Sequence, residues 1–382
     1  MKNFILHNPT KIIFGKDVVS DFLWKEIAAL SARNILLVYG KGSIKKNGIY
    51  QQIMEILEDK SINLYEYSGI KANPIVEDVN HVVAEHKEKS IDLVLAVGGG
   101  SVIDSAKIIA AALATNENDA WNFFTGKQKI GASLPLFAVL TVAATGTEMN
   151  PLAVLQNEKA MQKLGVRSSK IYPTLSFLDP SYTFSVPIPQ TMYGIVDIIA
   201  HALENFFAMG NAQLSDAFAL SIIKESMEIA PLLQKSPQDY DLRARVMYAA
   251  TNALNNLCSY GKERGNWEAH SVGHVLSLLY DIAHGASLSI AFPAWMKMNT
   301  QAYPEHFQFL AENFCLENGN EAVVEYFEAF FKKIGVPLRL SDINLGKEEK
   351  QKILSTLSKD SRLAKNYSKV ELERLFDLML GE

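Results

Sequence analysis

The sequence predicts two domains: an α/β domain built on a parallel sheet over residues 1–185, and an all-α domain over residues 186–382. Three observations lead there. The chain has 382 residues, more than the roughly 250–300 at which a single hydrophobic core stops growing. Through its first half, short apolar runs alternate with amphipathic stretches, the pattern of a parallel sheet covered on both faces. Beyond Pro187 and Pro189 the strand patterns give way to long helical ones.

In chain order, Phe4-Ile-Leu6 and residues 11–14, split by Pro9 and closed by Gly15, are expected as strands or a hairpin. Residues 34–39 form a buried strand that ends in Gly40-Lys-Gly-Ser43. A helix follows with Ile49, Ile53, Ile56 and Leu57 on one side. Residues 62–67 are a second strand, after which Asn73-Pro74 leads into a polar helix carrying Val79, Val82 and Val83. The third, 91–97, runs into Gly98-Gly-Gly-Ser101 and an Ala- and Ile-rich helix over 102–114. The fourth, 134–142, ends in Ala143-Ala-Thr-Gly-Thr-Glu148. In the second half, helices are expected over 192–208, 212–234, 240–260, 266–280, 305–334 and 347–380, packed as a bundle.

Composition narrows the function class. A net charge of −5 without clustered Lys and Arg argues against a nucleic-acid partner. Two cysteines, Cys258 and Cys315, make no disulfide framework and fit a reducing compartment. No apolar run approaches the roughly 18 residues of a membrane span. Residues 1–9 lack the apolar core and cleavage site of a secretory signal. A cytoplasmic protein without membrane partners is expected.

Three parts of the chain carry chemistry. Gly98-Gly-Gly-Ser101 joins a buried strand to a helix, where glycines let the backbone approach an anion and the helix N terminus offers unpaired N–H groups. A pyrophosphate suits such a turn, which makes the first domain a dinucleotide-binding, Rossmann-like one. The turn matches neither GxGxxG nor a P-loop. After Tyr39, where dinucleotide-binding sheets place an acid for the ribose 2′-OH, the chain has Gly40-Lys-Gly-Ser-Ile-Lys-Lys46. A hydroxyl and three lysines without an acid outline a 2′-phosphate pocket and favour NADP(H) over NAD(H). In the second half, Asp197 and His201 stand four residues apart, as do His270 and His274, with His284 ten further on. On helices, each pair leaves one face. One carboxylate and clustered imidazoles suit a divalent transition metal, Fe2+ or Zn2+.

These features in this order resemble the iron-type (metal-dependent) alcohol dehydrogenase family, in its NADP-dependent butanol dehydrogenase and aldehyde reductase branch. The resemblance covers essentially the whole chain. It rests on Gly98-Gly-Gly-Ser-Val-Ile-Asp-Ser-Ala-Lys107, Thr141-Val-Ala-Ala-Thr-Gly-Thr-Glu148, Phe177-Leu-Asp-Pro180 and the Asp197/His201/His270/His284 set. It implies that these last four bind the metal, Fe2+ foremost and Zn2+ as the alternative, and that His274 stands beside it without binding it; one turn from His270, His274 is the candidate proton donor or relay. Gly98, Gly99, Gly100 and Ser101 would hold the pyrophosphate, with Asp104 close by. Gly40, Gly42 and Ser43 would surround the 2′-phosphate, with Lys163 reaching in. Thr141 and Thr145 would lie along the nicotinamide, and Leu178 and Thr183 along the adenosine. The chain departs from the family at Thr141-Val-Ala-Ala144, where many relatives have Thr-Thr-Ala-Gly.

The implied activity is reversible hydride transfer between NADP(H) and short-chain aldehydes or their alcohols, with cofactor and metal meeting between the domains. The alternative on the same fold is an NAD-dependent, glycerol-type polyol dehydrogenase. Asn150 and Trp267 are candidates for the substrate pocket. The resemblance further implies a homodimer, with Phe4-Ile-Leu6 available for strand pairing.

Overall fold

The computed structural model describes residues 1–317 and 319–382. Its strands are β1 (Lys11–Phe14), β2 (Asn34–Gly40), β3 (Asn63–Ile70), β4 (Leu93–Gly98), β5 (Leu136–Leu140), β6 (Leu152–Asn157), β7 (Gln162–Arg167) and β8 (Leu175–Leu178). Six pair in parallel, in the order β1-β8-β5-β4-β2-β3, while β6 and β7 form a separate antiparallel pair.

The runs of apolar residues in these strands reflect burial on both faces. Val38, Ala96 and Ala138 lie side by side on one face, with Leu37, Leu95 and Phe137 on the other. The helix Gly100–Thr115 covers the first through Val102, Ile103, Ala106 and Ile109. Helices Val18–Ala29 and Ile49–Leu57 cover the second through Leu23, Ile27, Ile53 and Leu57. Each such Val, Leu or Ile side chain contributes about 1.5–3 kcal/mol on full burial.

Register then fixes where chemistry can occur. Tyr39 pairs with Val97, Gly98 with Leu140, and Val139 with Phe177. The C-terminal ends of β2, β4, β5 and β8 therefore fall on one edge of the sheet, the edge where open α/β sheets take ligands.

Contacts divide the chain into two units. One comprises Leu6–Val186 and Pro237–Asn255, the other Met1–Ile5, Pro187–Ser236 and Asn256–Glu382. Two segments thus depart from a single boundary at residue 185. The helix Tyr240–Ala253 joins the α/β unit, where the Thr251 hydroxyl donates to Glu148 Oε1 at 2.5 Å.

The second unit is helical, but its helices differ from those expected. The stretch 305–334 is two helices, Pro304–Asn313 and Gly319–Lys333, because Cys315 turns left-handed at φ 54°. The stretch 347–380 is three: Lys350–Leu357, Ser361–Asn366 and Lys369–Leu380. The helix His284–Asn299 was not anticipated. It is buried at nearly every position, so it has no polar face to mark its period. Phe4-Ile-Leu6 forms no strand and is exposed. Among the described residues no helix is long and apolar enough to cross a membrane.

Gly285 opens the helix His284–Asn299 against the helix Ile188–Phe206, where a Cβ would stand 2.0 Å from the Tyr193 carbonyl oxygen. Backbone on both sides leaves no room to yield. Gly285→Ala is expected to cost about 1–3 kcal/mol, read as a lowered midpoint of thermal unfolding.

Candidate functional site

The helix Ile188–Phe206 places Asp197 and His201 one turn apart on the same face. The helix Glu268–Tyr280 brings in His270, and His284 starts the next helix. Asp197 Oδ1 lies 3.5 Å from His201 Nε2, 3.6 Å from His270 Nε2 and 3.7 Å from His284 Nε2. These spacings are long for hydrogen bonds. They are close to the edge of a tetrahedron, about 3.4 Å, whose corners each stand ~2.1 Å from one central ion. Asp197, His201 and His270 are 3%, 5% and 6% exposed. Asp197 Oδ1 and His270 Nε2 are buried and have no hydrogen-bond partner among the described residues. Leaving such atoms bare is costly, and a divalent cation would satisfy them together. The residues present therefore fit a metal.

The electrostatics suit a cation at Asp197 and His201, while His270 would have to give up a proton to receive one. Burial alone would raise the Asp197 pKa, but the imidazoles of His201, His270 and His284 outweigh it and hold the carboxyl below the usual range. Burial pushes His201 down to about 4 against the pull of Asp197, so at neutral pH its imidazole is uncharged. For His270 burial acts downward, yet the carboxylates of Glu204 and Asp197 prevail and raise it to about 9.

Glu204 is the residue that the sequence reading missed. It is buried one turn beyond His201, accepts the His270 backbone N–H at 3.1 Å through Oε1, and pairs through Oε2 with His270 Nδ1. That pairing places the ring proton on Nδ1 and aims Nε2 at Asp197, as carboxylates behind metal-ligating histidines do. The spacing of Glu204 from His201 was the available signal. His274 stands to one side, its ring centroid 5.3 Å from that of His284 and 6.3 Å from that of His270. The Trp267 ring lies 5.3 Å from His270 and 6.1 Å from His201.

In the α/β unit, Gly40, Gly98, Thr141 and Leu178 gather at the C-terminal sheet edge. Space demands glycine in the turn after β4. A Cβ on Gly98 would stand 2.5 Å from Val102, one on Gly99 3.1 Å from Val142, and one on Gly100 2.6 Å from Thr145. The Thr141 N–H donates to the Gly98 carbonyl at 3.0 Å, which ties the two loops together. Ser101 Oγ donates to the Ala72 carbonyl.

Beyond β2, Gly42 is left-handed at φ 119° and Ser43 begins a short helix. The Lys45 ammonium sits 4.5 Å above the Tyr50 ring and 5.3 Å above that of Tyr39. Lys163, on β7, donates to Asn73 Oδ1 at 2.8 Å. Asp104 accepts from Thr147 Oγ1 at 2.5 Å and from the Val154 N–H at 2.9 Å. Leu178 and Thr183 are buried, and the Thr183 hydroxyl donates to the Pro180 carbonyl at 2.7 Å. Asn150 is buried too, its amide engaged with Gly146, Leu152 and Lys107, so it shapes a turn rather than lining a pocket.

Comparison with known proteins assigns this arrangement to a family. Residues 9–180 match the model of iron-containing alcohol dehydrogenase, and residues 191–380 that of the C-terminal region of the Fe-containing alcohol dehydrogenase family. The chain is 38% identical over 369 residues to a probable NADH-dependent butanol dehydrogenase 2 of Bacillus subtilis, covering 94% of each chain. It is 36% identical over 354 residues to the NADPH-dependent aldehyde reductase YqhD of Escherichia coli, covering 90% of each. The crystal structure of the NADH-dependent butanol dehydrogenase A of Thermotoga maritima superposes with a TM-score of 0.94 at 40% identity, over 100% of this chain and 99% of that one. With its ligand-bearing helices and glycine-turned parallel sheet, the chain belongs to the iron-containing alcohol dehydrogenase family.

Proposed function

We propose that this chain is a metal-dependent, NADP(H)-linked alcohol dehydrogenase that works as a reductase of short-chain aldehydes. The observation that carries the reading is Asp197 Oδ1 facing three imidazole Nε2 atoms at 3.5–3.7 Å. Asp197, His201, His270 and His284 hold a divalent cation, Fe2+ or Zn2+, which supplies Lewis acidity toward a carbonyl or alkoxide oxygen. Binding would displace the Nε2 proton that Glu204 and Asp197 favour on His270, and one carboxylate among three then neutral imidazoles would leave the site net positive. Glu204 orients His270 and offsets part of that charge from behind. His201, kept neutral by burial, does not compete for a proton. His274 is the candidate donor of the proton that the substrate oxygen takes up when hydride reaches carbon, since its ring flanks His284 and His270.

In the α/β unit, the glycine turn and the N terminus of Gly100–Thr115 receive the pyrophosphate. Gly40, Gly42 and Ser43 leave the end of β2 without a carboxylate, which supports a 2′-phosphate there. The NADPH dependence of the Escherichia coli relative agrees with this. A second reading, NADH, is favoured by the names of the Bacillus subtilis and Thermotoga maritima relatives. Exposed Phe4, Ile5 and Leu6 support association as a homodimer.

The direct test follows the loss of reduced nicotinamide with butyraldehyde, for metal-stripped protein and for protein reloaded anaerobically with Fe2+ or Zn2+. The expected outcome is metal-dependent turnover that prefers NADPH over NADH by about tenfold or more in kcat/KM. Turnover with NADH alone would overturn the 2′-phosphate reading, and oxidation of glycerol in preference to butanol would promote the polyol alternative. His274→Ala should retain metal yet lose about 10²–10⁴ in kcat and shift its pH profile. An unchanged profile with metal still bound would remove the proton role.

A further inference from the structure

We infer that Lys107 is a positioning residue for coenzyme: buried beneath the glycine turn, it pins the Thr145–Asn150 turn against Gly98–Ser101. The inference rests on the coenzyme reading of that turn given above.

Lys107 is 0% exposed, in the second turn of the helix whose first turn is Gly100 and Ser101. Its Nζ donates at 2.7 Å to Thr147 Oγ1, at 2.8 Å to the Asn150 carbonyl and at 2.7 Å to the Leu152 carbonyl. Asn150 Oδ1, at 3.1 Å, is a fourth acceptor for three protons. All four belong to one stretch, which leaves β5, turns at Thr145-Gly146-Thr147 and enters β6. One helix turn earlier, Asp104 accepts from the same Thr147 hydroxyl at 2.5 Å and from the Val154 N–H at 2.9 Å. Thr147 Oγ1 thus accepts a hydrogen bond from Lys107 and donates one to Asp104. The helix that carries the glycine turn and the loop that follows β5 are stitched by both charges.

The stitch is tight where coenzyme would lie. The Thr145 side chain packs directly over Gly100, leaving no space for a Cβ at 2.6 Å. Gly146, left-handed at φ 61°, is pressed to the Ala250 carbonyl, where a Cβ would meet oxygen at 2.7 Å. Thr145 therefore cannot settle back if the loop loosens; it moves over the glycine turn. Burying a lysine costs stability, and apolar side chains would join helix to loop at least as well. What an ammonium adds is a single geometry, set by three short bonds to backbone and hydroxyl oxygens. Burial pushes the Lys107 pKa down to about 8, against the opposing pull of the buried Asp104 and Glu148. The metal ligands all belong to the other unit, so a Lys107 substitution acts on coenzyme without touching them.

The test compares Lys107→Met, which keeps the apolar stem and removes the donors, with wild type and Lys107→Arg. The dissociation constants of NADPH and NADH are measured by nicotinamide fluorescence, beside KM, kcat, metal content and the thermal midpoint. The expected result is a dissociation constant raised about tenfold or more, KM for coenzyme rising with it, and metal content unchanged. Lys107→Arg should not rescue, because a guanidinium does not fit the same four acceptors. If Lys107→Met fails to fold, Thr147→Val, which cuts only the shared hydroxyl, should still weaken coenzyme severalfold. A lowered midpoint with unchanged coenzyme affinity would make Lys107 merely structural and overturn the inference alone. Wild type that binds neither coenzyme would overturn the underlying reading and the inference with it.

Discussion

A buried carboxylate facing three imidazole nitrogens is the contact on which the helical unit depends. Asp197 Oδ1 has its neighbours at 3.5–3.7 Å, too far for good hydrogen bonds and close enough for their lone pairs to share one cation. The helices bearing these groups are packed mainly through apolar side chains, and the polar cluster fixes their register together with the Ser277–Ser287 and Trp295–Glu268 hydrogen bonds. Gly285, the residue after His284, lets the third helix approach the first to backbone contact. Glu204, behind His270, fixes which ring nitrogen faces inward. Such a cluster suits a positive charge at its centre.

The α/β unit meets a different constraint, the close approach of backbone segments at the ends of its strands. Parallel pairing brings four strand ends to one edge, and glycine is there because neighbours occupy the space of a side chain. Thr141, bonded to Gly98, and Lys107, bonded beneath, couple the two loops of that edge. The result is a preorganised rim, whose loops would otherwise be among the more mobile parts of such a fold.

Much of this was legible in the sequence, and the exceptions have physical causes. Strands β2, β4 and β5 were legible because runs of Val, Leu and Ile between glycines have few other uses. The pairing of Asp197 with His201 was legible because ligand chemistry is tied to identity and a helix to spacing. The helix His284–Asn299 was not, since burial on every side erases periodicity and Pro293 lies within it. Nor was the break at Cys315, a left-handed residue that is neither Gly nor Asn. Glu204 and Lys107 stayed hidden for a third reason: a buried charge and a surface charge have the same letter. Apart from the spacing of Glu204 from His201, only their partners distinguish them, and those lie 66 and 40 or more residues away.

The most direct test of the central claim is X-ray absorption at the metal edge. It requires protein loaded anaerobically with Fe2+ or Zn2+, as wild type and as Asp197→Ala. The account predicts one tightly held ion per chain with about four nitrogen and oxygen donors at ~2.0–2.2 Å, lost or loosened in the variant. A shell containing sulfur, or an ion held identically without Asp197, would contradict it.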